Sequence, residues 1–393
     1  MSKPPKRPPR LLFLGAGFSR PAGVALAGEL LDLVLDELAR LGGQSHLHRS
    51  VEAYLDYMEA TTGMKPEPIN IEAFAAYLDY QHAFGMLGSD TWSEEGNRDQ
   101  FLLRWGIGRV LHRLTPSVEK LPDLYLRFAE RLRPRDVVVT FNYDLVLERS
   151  LEQVGVPYRR FPNRYIDVGV ALSEVDSDSD KKEVKILKPH GSLDWVDRRA
   201  YERKLDYMNA LQGAGGVRFS EEHDQLFGPK GCSATRPLVE GPRPPDDQLR
   251  SIEVVTDLDA YYASTNVAYF YPPMVLAPSE AKQLYGAALR TLWEGLAGFG
   301  FGWSGIAMIG YSLPPADPYT KQILYRIVQS YVMGLEDPGW RIGPMSPICL
   351  IDKRDSPHAV DELLKRYRFL PAKHTKRHLA GFDSATLDLI FAD

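Results

Sequence analysis

Cysteine is scarce in this sequence of 393 residues, which contains Cys232 and Cys349 and no other. Two thiols cannot supply the four ligands of a thiolate zinc module, and they cannot form a disulfide framework. Such cysteine usage fits a reducing cytosol. We therefore expect a cytoplasmic protein that has no metal site of the zinc-thiolate type and no structural disulfide.

Positive charge is not in excess either, because 47 Lys and Arg residues stand against 52 Asp and Glu residues and the net charge is -5. An acidic balance offers no general attraction to nucleic acid or to an anionic membrane surface. Direct nucleic-acid binding is therefore not expected, although a local basic patch is compatible with this balance.

Long apolar runs and a phosphate-binding P-loop are also missing. The first apolar run, Leu11 to Leu14, is too short for the core of a signal sequence or for a membrane span. No Gly-x-x-x-x-Gly-Lys-Ser/Thr occurs, so ATP-driven work would have to come from another polypeptide. The sequence thus predicts a globular protein without membrane association.

Short apolar runs separated by helical patterns are what the sequence does contain. Parallel strands buried on both faces are continuously apolar and open onto functional loops. Six runs fit this description: 10–14, 136–140, 184–187, 274–277, 305–309 and 348–351. Helical spacing of apolar residues occurs at 25–41, 145–154, 282–299 and 318–333. The alternation predicts an α/β fold with a Rossmann-like, doubly wound, mostly parallel sheet of six strands.

Two intervals interrupt this alternation. Residues 45–133 hold helical segments and no convincing strand, which predicts a helical insertion. Residues 209–273 are rich in Gly and Pro and show few sustained periods. Long stretches of this kind are usually lids, interfaces or disordered segments, so we expect an irregular insertion or an interface segment there.

The first predicted strand leads into Gly15-Ala16-Gly17-Phe18-Ser19, and a helix is expected to begin near residues 22–26. Glycines at such a turn let the backbone approach a pyrophosphate at the helix N-terminus. A plain tight turn that needs glycine for its dihedral angles is an equal alternative. The third glycine of the usual dinucleotide fingerprint is displaced to Gly23.

Two more predicted strands end in polar residues. Asn142 lies in Thr-Phe-Asn-Tyr-Asp after the second run, and His190 lies in Lys-Pro-His-Gly-Ser after the third. At this edge of a sheet an Asn can orient a water or a ribose hydroxyl, and a His can accept a proton. Each residue has an ordinary alternative: Asn142 could cap a helix, and His190 could be a core histidine satisfied by backbone.

These motifs, with Gly310-Tyr311-Ser312-Leu313 and a last strand ending in Ile351-Asp352, resemble the ordered motif series of the sirtuin superfamily. The variants Phe141 and Tyr311-Ser312-Leu313-Pro314 with Asp317 are similar to bacterial sirtuin-like NAD hydrolases of antiphage defence. The resemblance implies a single sirtuin-like NAD-binding domain over residues 1–393.

Two features of deacylase sirtuins have no counterpart. Their four zinc-binding cysteines cannot be present, and the helical insertion takes the place of that module. Their arginine-containing loop is unmatched, because Ser19 to Gly23 runs directly into a helical pattern. The resemblance therefore implies hydrolysis of NAD to nicotinamide and ADP-ribose. The alternatives are an NAD-dependent deacylase or ADP-ribosyltransferase, and a non-catalytic sensor of NAD or ADP-ribose.

The resemblance also implies roles for single residues. Asn142 and His190 would be catalytic, and NAD would be the substrate. Asp144 would anchor the loop of Asn142, although an acid in the first turn of a helix is the favoured alternative. The nucleotide would contact Gly15, Ala16, Gly17, Ser19, Asp144, Gly310, Ser312 and Asp352. Implied partners are further copies of the chain and, in some systems, an ATPase of the HerA type.

Overall fold

The computed structural model describes residues 8–42, 46–86, 94, 96–169, 172–175, 182–213, 235–263, 271–276, 279, 287–294, 302–337, 339 and 343–392. The strands in chain order are β1 (Arg10–Leu14), β2 (Val137–Thr140), β3 (Tyr158–Arg159), β4 (Arg164–Asp167), β5 (Leu172–Val175), β6 (Val184–Leu187), β7 (Trp195–Asp197), β8 (Thr235–Pro237), β9 (Ile252–Val255), β10 (Gly305–Ile309), β11 (Ile348–Ile351) and β12 (Thr375–His378).

Seven of these strands form the central sheet, in the spatial order β12-β11-β10-β1-β2-β6-β3. All neighbours in it are parallel. A short antiparallel pair joins β4 to β5, and a three-stranded antiparallel sheet has the order β7-β9-β8. The α/β class and the Rossmann-like parallel sheet predicted from the sequence are confirmed.

The helices lie between the strands along the chain. They are α1 (Ala16–Ser19), α2 (Ala27–Arg40), α3 (His46–Thr62), α4 (Ile71–Ala83), α5 (Arg98–Leu114), α6 (Asp123–Arg131), α7 (Val146–Val154), α8 (Arg198–Gly213), α9 (Leu258–Ala263), α10 (Arg290–Glu294), α11 (Pro318–Glu336), α12 (Pro357–Arg366) and α13 (Ser384–Phe391). Among the described residues, no helix is both long and apolar enough to cross a membrane.

The sheet is buried on both faces, and this explains the continuous apolar runs. Successive side chains of a strand point to opposite faces. In β1, Leu12 and Leu14 accordingly join one hydrophobic cluster, whereas Leu11 and Phe13 join a second. All five residues of β1 are buried. Such strands carry apolar side chains at consecutive positions rather than at every second one.

The predicted number of strands was wrong by one. Five of the six predicted strands are present, and the sheet adds β3 and β12. The predicted strand 274–277 is not among the strands of the described residues; Val275 forms an isolated antiparallel bridge with Gly191 instead. Residue 277 lies outside the described part of the chain.

Four helices occupy the described parts of 45–133, the interval predicted as a helical insertion. Side-chain caps fix where two of them begin. Asn70 accepts hydrogen bonds from the amides of Glu72 and Ala73 before α4, and Asn97 forms a reciprocal capping box with Gln100 at α5. That this interval is an insertion into a single domain stays a prediction.

The interval 209–273 is more regular than its sequence suggested. Its described residues include β8, β9 and α9. Tyr261, Tyr262 and Tyr271 are each at most 3% exposed, so these aromatic side chains belong to the core. Residues 214–234 and 264–270 lie outside the described part. An interface role for this interval stays a prediction.

Candidate functional site

Five loops meet at one edge of the central sheet, because each follows one of five neighbouring parallel strands. Along the edge they follow β6, β2, β1, β10 and β11, and they carry His190, Asn142, the Gly15 to Ser19 loop, Gly310 with Ser312, and Asp352. Neighbouring strands lie about 4.8 Å apart, so the row extends over roughly 19 Å. An elongated ligand fits such a row better than a compact one.

The glycines after β1 are required by contact with the loop after β10. A Cβ atom on Gly15 would lie 2.5 Å from the Tyr311 Cα, and one on Gly17 would lie 2.7 Å from the Gly310 Cα. Gly310 has a φ of +63°, which favours glycine. The amide of Gly17 donates to the carbonyl of Gly310 at 2.9 Å. Close packing of two protein loops therefore accounts for these glycines.

The chain turns into helix earlier than the sequence indicated. Helix α1 begins at Ala16, directly after Gly15, and a 3₁₀ turn follows at Arg20–Ala22. The long helix begins only at Ala27. The start expected near residues 22–26 therefore agrees with the long helix, whose N-cap is Leu26, whereas α1 was not predicted. Ser19, the last residue of α1, is buried.

Asn142 is buried and fixed through its amide nitrogen. Its Nδ2 donates to the Gly15 carbonyl and to the Ser19 Oγ, each at 3.0 Å. All hydrogen bonds of this side chain to described residues use that nitrogen, which leaves Oδ1 as an acceptor for a ligand. The N-cap of α7 is Leu145, without a side-chain cap. The interpretation of Asn142 as a helix cap was therefore wrong.

Asp144 is connected to Asn142 through the Ser19 hydroxyl. Its Oδ1 accepts from the Ser19 Oγ at 3.1 Å and from the Val146 amide at 3.0 Å. Asp144 lies two residues before α7, whose first-turn acid is Glu148, so the interpretation of Asp144 as an acid in the first turn of a helix was wrong. Burial raises the pKa of Asp144, while the Lys188 charge and these two hydrogen bonds oppose the rise.

A buried ion pair lies beneath this group. The Lys188 side chain is fully buried, and its Nζ donates to the Glu148 Oε1 at 2.9 Å and to the Asp144 carbonyl at 2.6 Å. Glu148 is on α7 and Lys188 follows β6, so the pair connects the two strand ends that carry Asn142 and His190. Charges this deeply buried are stable only when they are paired.

His190 lies among aromatic rings. Its ring centroid is 5.0 Å from that of Phe141, 6.1 Å from that of Trp293 and 6.4 Å from that of Tyr319. The His190 Nε2 is 3.1 Å from the Tyr319 hydroxyl and 3.7 Å from the Asp317 Oδ1. Its side-chain neighbours therefore include a hydroxyl and a carboxylate.

The loop of His190 is held by the segment 274–276. The Leu276 amide donates to the His190 carbonyl at 2.9 Å, and the Ser192 amide donates to the Met274 carbonyl at 3.0 Å. Gly191 has a φ of +88°, and a Cβ atom there would lie 1.8 Å from the Met274 oxygen. Only glycine fits at this position.

Asp317, Trp293 and Tyr319 were not predicted as site residues, although all three lie at His190. Asp317 is 2% exposed, and its Oδ2 accepts from the Tyr311 hydroxyl at 2.7 Å. The Tyr311 ring is stacked on Phe141 with centroids 4.1 Å apart. The sequence did contain a signal for this group, because Phe141, Tyr311 and Asp317 are variants of the sirtuin motifs. In the structure Tyr311 contacts both of the other two residues.

Ser312 and Asp352 complete the opposite end of the row. The carbonyl of Ser312 accepts from Arg366 at 3.3 Å. The Asp352 carboxylate accepts from the Lys353 amide at 2.7 Å and from the Arg354 side chain at 3.1 Å. Burial raises the pKa of Asp352, and Arg354 opposes the rise. A carboxylate has about four acceptor positions, so it can still receive hydrogen bonds from a ligand.

Metal ligands do not cluster in the described part of the chain: no group of three or more His, Cys, Asp or Glu residues there could hold an ion. Cys349 is a buried free thiol. Cys232 lies outside the described residues.

Comparison with known proteins finds similarity to the SIR2-like domain over part of the chain. No curated protein matches the chain. A solved sirtuin structure, described as "The Structural basis of Sirtuin Substrate Affinity", aligns with 97% of this chain and 92% of its own, at 10% identity and a TM-score of 0.33. Residues 136–242, which include Asn142, Asp144 and His190, match the family model of the SIR2-like domain.

Proposed function

We propose that this protein hydrolyses NAD at the bond between nicotinamide and ribose. The observation that carries the proposal is the row of five loops, in which His190 and Asn142 follow adjacent strands and the remaining predicted residues extend away from them. The match of 136–242 to the SIR2-like domain supports it, because sirtuins act on NAD.

Asn142 is the residue that would place the attacking water or a ribose hydroxyl. Its Nδ2 is bound to Gly15 and Ser19, so its Oδ1 has one fixed direction. A reactant held in this way has already lost the orientational freedom that the reaction requires. Nicotinamide in NAD is a cationic leaving group, so its departure needs little help from an acid.

His190 would be the general base. In the proposed step a water oxygen bonds to the anomeric carbon as the nicotinamide nitrogen leaves with the bonding pair and becomes neutral. The proton of the water passes to the imidazole and then to solvent, which leaves ADP-ribose. Histidine suits this role because its protonation changes near neutral pH.

The other residues would hold the rest of the dinucleotide. Gly15, Ala16, Gly17 and Ser19 would border the pyrophosphate, Gly310 and Ser312 the adenosine half, and Asp352 the adenine ribose. Gly17 donates its amide to Gly310. Because this amide is already used, Gly17 would allow the nucleotide to come close to the backbone and would not donate to a phosphate oxygen.

Incubation of the purified chain with NAD, followed by chromatography of the nucleotides, tests the proposal. We expect free nicotinamide and ADP-ribose, and a loss of about 10²–10⁴-fold in Asn142→Ala and in His190→Ala. Full activity in both variants would refute the assignment. Product formation only with an acylated peptide or a protein acceptor would indicate transfer, and tight NAD binding without any product would indicate a sensor.

We further propose that the activity is a regulated effector of antiphage defence, because an unrestrained NAD hydrolase would deplete its own cell. The support is the resemblance carried by Phe141, Tyr311 and Asp317. Homo-oligomers, and a partner ATPase of the HerA type, would supply the restraint. Light scattering of the chain with and without such a partner, alongside NAD turnover, tests this part.

A further inference from the structure

One buried acid faces His190 from a distant part of the sequence. Asp317 immediately precedes α11, and its Oδ1 lies 3.7 Å from the His190 Nε2, with both side chains at most 7% exposed. Tyr319, two residues further on, places its hydroxyl 3.1 Å from the same nitrogen. The start of α11 therefore presents a carboxylate and a hydroxyl to one side of the imidazole.

The position of Asp317 is itself fixed. The Tyr311 hydroxyl donates to its Oδ2 at 2.7 Å, and the Asp317 amide donates to the Pro314 carbonyl at 3.1 Å. The Tyr311 ring is stacked on Phe141, which also contacts His190. Burial and the neighbouring Asp317 charge raise the pKa of Tyr311 well above its usual value, so its hydroxyl stays a donor.

We propose that Asp317 is the positioning residue of His190: held by Tyr311, it orients the imidazole and stabilises its protonated form during NAD hydrolysis. This inference rests on the proposed function. Asp317 does not receive the proton. It stays ionised while the imidazole takes the proton from the attacking water, so that a cation forms beside an existing anion.

Burial makes this pairing effective. A carboxylate at this distance favours the charged form of an imidazole, and the effect is larger where water is excluded. Among the described residues, further titratable groups around the pair include Tyr319, Tyr311 and Tyr143. Burial, with smaller contributions from Asp317 and Glu72, raises the pKa of Tyr143, so Tyr143 and Tyr311 are both neutral at physiological pH. Among the described residues, Asp317 supplies the negative charge that lies 3.7 Å from the His190 Nε2, and Glu72 contributes at Tyr143.

Asp317→Asn removes the charge and keeps the shape, so it is the main variant. Glu336→Gln is the matched control, because it removes a carboxylate from the exposed far end of the same helix. We expect Asp317→Asn to lower kcat by about 10- to 100-fold, with little change in KM, and to move the acid limb of the pH profile to lower pH. A merely structural defect would lower activity without moving that limb.

NMR titration of the His190 ring, assigned with His190→Gln, gives a readout that does not depend on turnover. A titration midpoint at least half a pH unit lower in Asp317→Asn than in wild type supports the inference. Equal midpoints, or a pH profile and kcat like those of wild type, overturn it. Absence of nicotinamide release from the wild-type chain would instead overturn the proposed function, and the NMR result does not depend on it, so the two failures are distinguishable.

Discussion

The two catalytic candidates are held by different kinds of contact. Around Asn142, hydrogen bonds and buried charges fix every side chain; we name this group, Ser19, Asn142, Asp144, Glu148 and Lys188, the amide half. Around His190, rings pack against one another beside the carboxylate of Asp317; we name this group, Phe141, His190, Trp293, Tyr311, Asp317 and Tyr319, the aromatic half.

The difference predicts how each half fails. A buried polar group whose partner is removed loses its compensation completely, so the amide half should be sensitive to single substitutions. Ring packing is spread over many weak contacts and tolerates the loss of one polar atom. The aromatic half should instead be sensitive to changes that push its loops apart.

The largest expected effect is in the amide half, at Lys188. Lys188→Met leaves Glu148 buried without its partner, and we expect the free energy of unfolding to fall by about 3–5 kcal/mol. Urea unfolding followed by circular dichroism measures it. Glu148→Gln in the same chain should recover part of the loss. Lys65→Met is the control, because its ion pairs with Asp56 and Glu59 are on the surface. If both lysine variants unfold like wild type, the buried pair does not support the amide half.

The next effect is in the aromatic half, at the loop of His190. Gly191→Ala would place a Cβ atom 1.8 Å from the Met274 oxygen, so the segment 274–276 must move. We expect a loss of about 3 kcal/mol. Gly155→Ala is the matched control: its φ of +70° is similar, but nothing lies within 4 Å, so about 1 kcal/mol should be lost. Equal losses in the two variants would show that backbone strain alone, without the clash, determines the loss of stability in Gly191→Ala.

Three residues of the amide half were predicted from the sequence as site residues, whereas His190 was the one residue of the aromatic half that was. Asn142, Asp144 and Ser19 each follow a strand within a short polar motif, and the parallel sheet brings such strand ends together. Trp293 and Tyr319 are on α10 and α11, far from His190 in the sequence, and they meet it through tertiary contacts. No local pattern encodes such contacts, so the sequence showed the variants at 141, 311 and 317 without showing that they touch.

The three errors in the strand predictions, at β3, at β12 and at 274–277, have a related reason. β12 reads Thr-Lys-Arg-His and is an edge strand with polar side chains, and β3 has two residues, so neither forms an apolar run. The run at 274–277 is apolar, yet its described residues form an isolated bridge to the His190 loop. An apolar run indicates that a segment is buried. Here the segment is buried because it packs against the His190 loop, and it does not form a strand of the sheet.

A smaller effect is expected at Ser19, which receives a hydrogen bond from Asn142 and donates one to Asp144. Ser19→Ala should lower the free energy of unfolding by about 1–2 kcal/mol and nicotinamide release by about 10-fold, because Asn142 loses its orientation. Ser150→Ala is the matched control: Ser150 is equally buried but bonds to Val146 within α7. The Ser150→Ala variant should lose stability and keep its activity. If Ser150→Ala loses as much activity as Ser19→Ala, Ser19 has no specific role in orienting Asn142.

The smallest effect on stability is expected at Tyr311, where ring packing and the hydroxyl can be separated. Tyr311→Phe keeps the ring on Phe141 and removes the donor to Asp317, so we expect a loss of about 1 kcal/mol. Tyr331→Phe removes a buried hydroxyl that binds the Ser346 carbonyl away from the site. The two variants should therefore unfold alike, and only Tyr311→Phe should lower nicotinamide release. If Tyr331→Phe lowers it equally, lost stability explains both, and the hydroxyl of Tyr311 has no separate part in holding Asp317 beside His190.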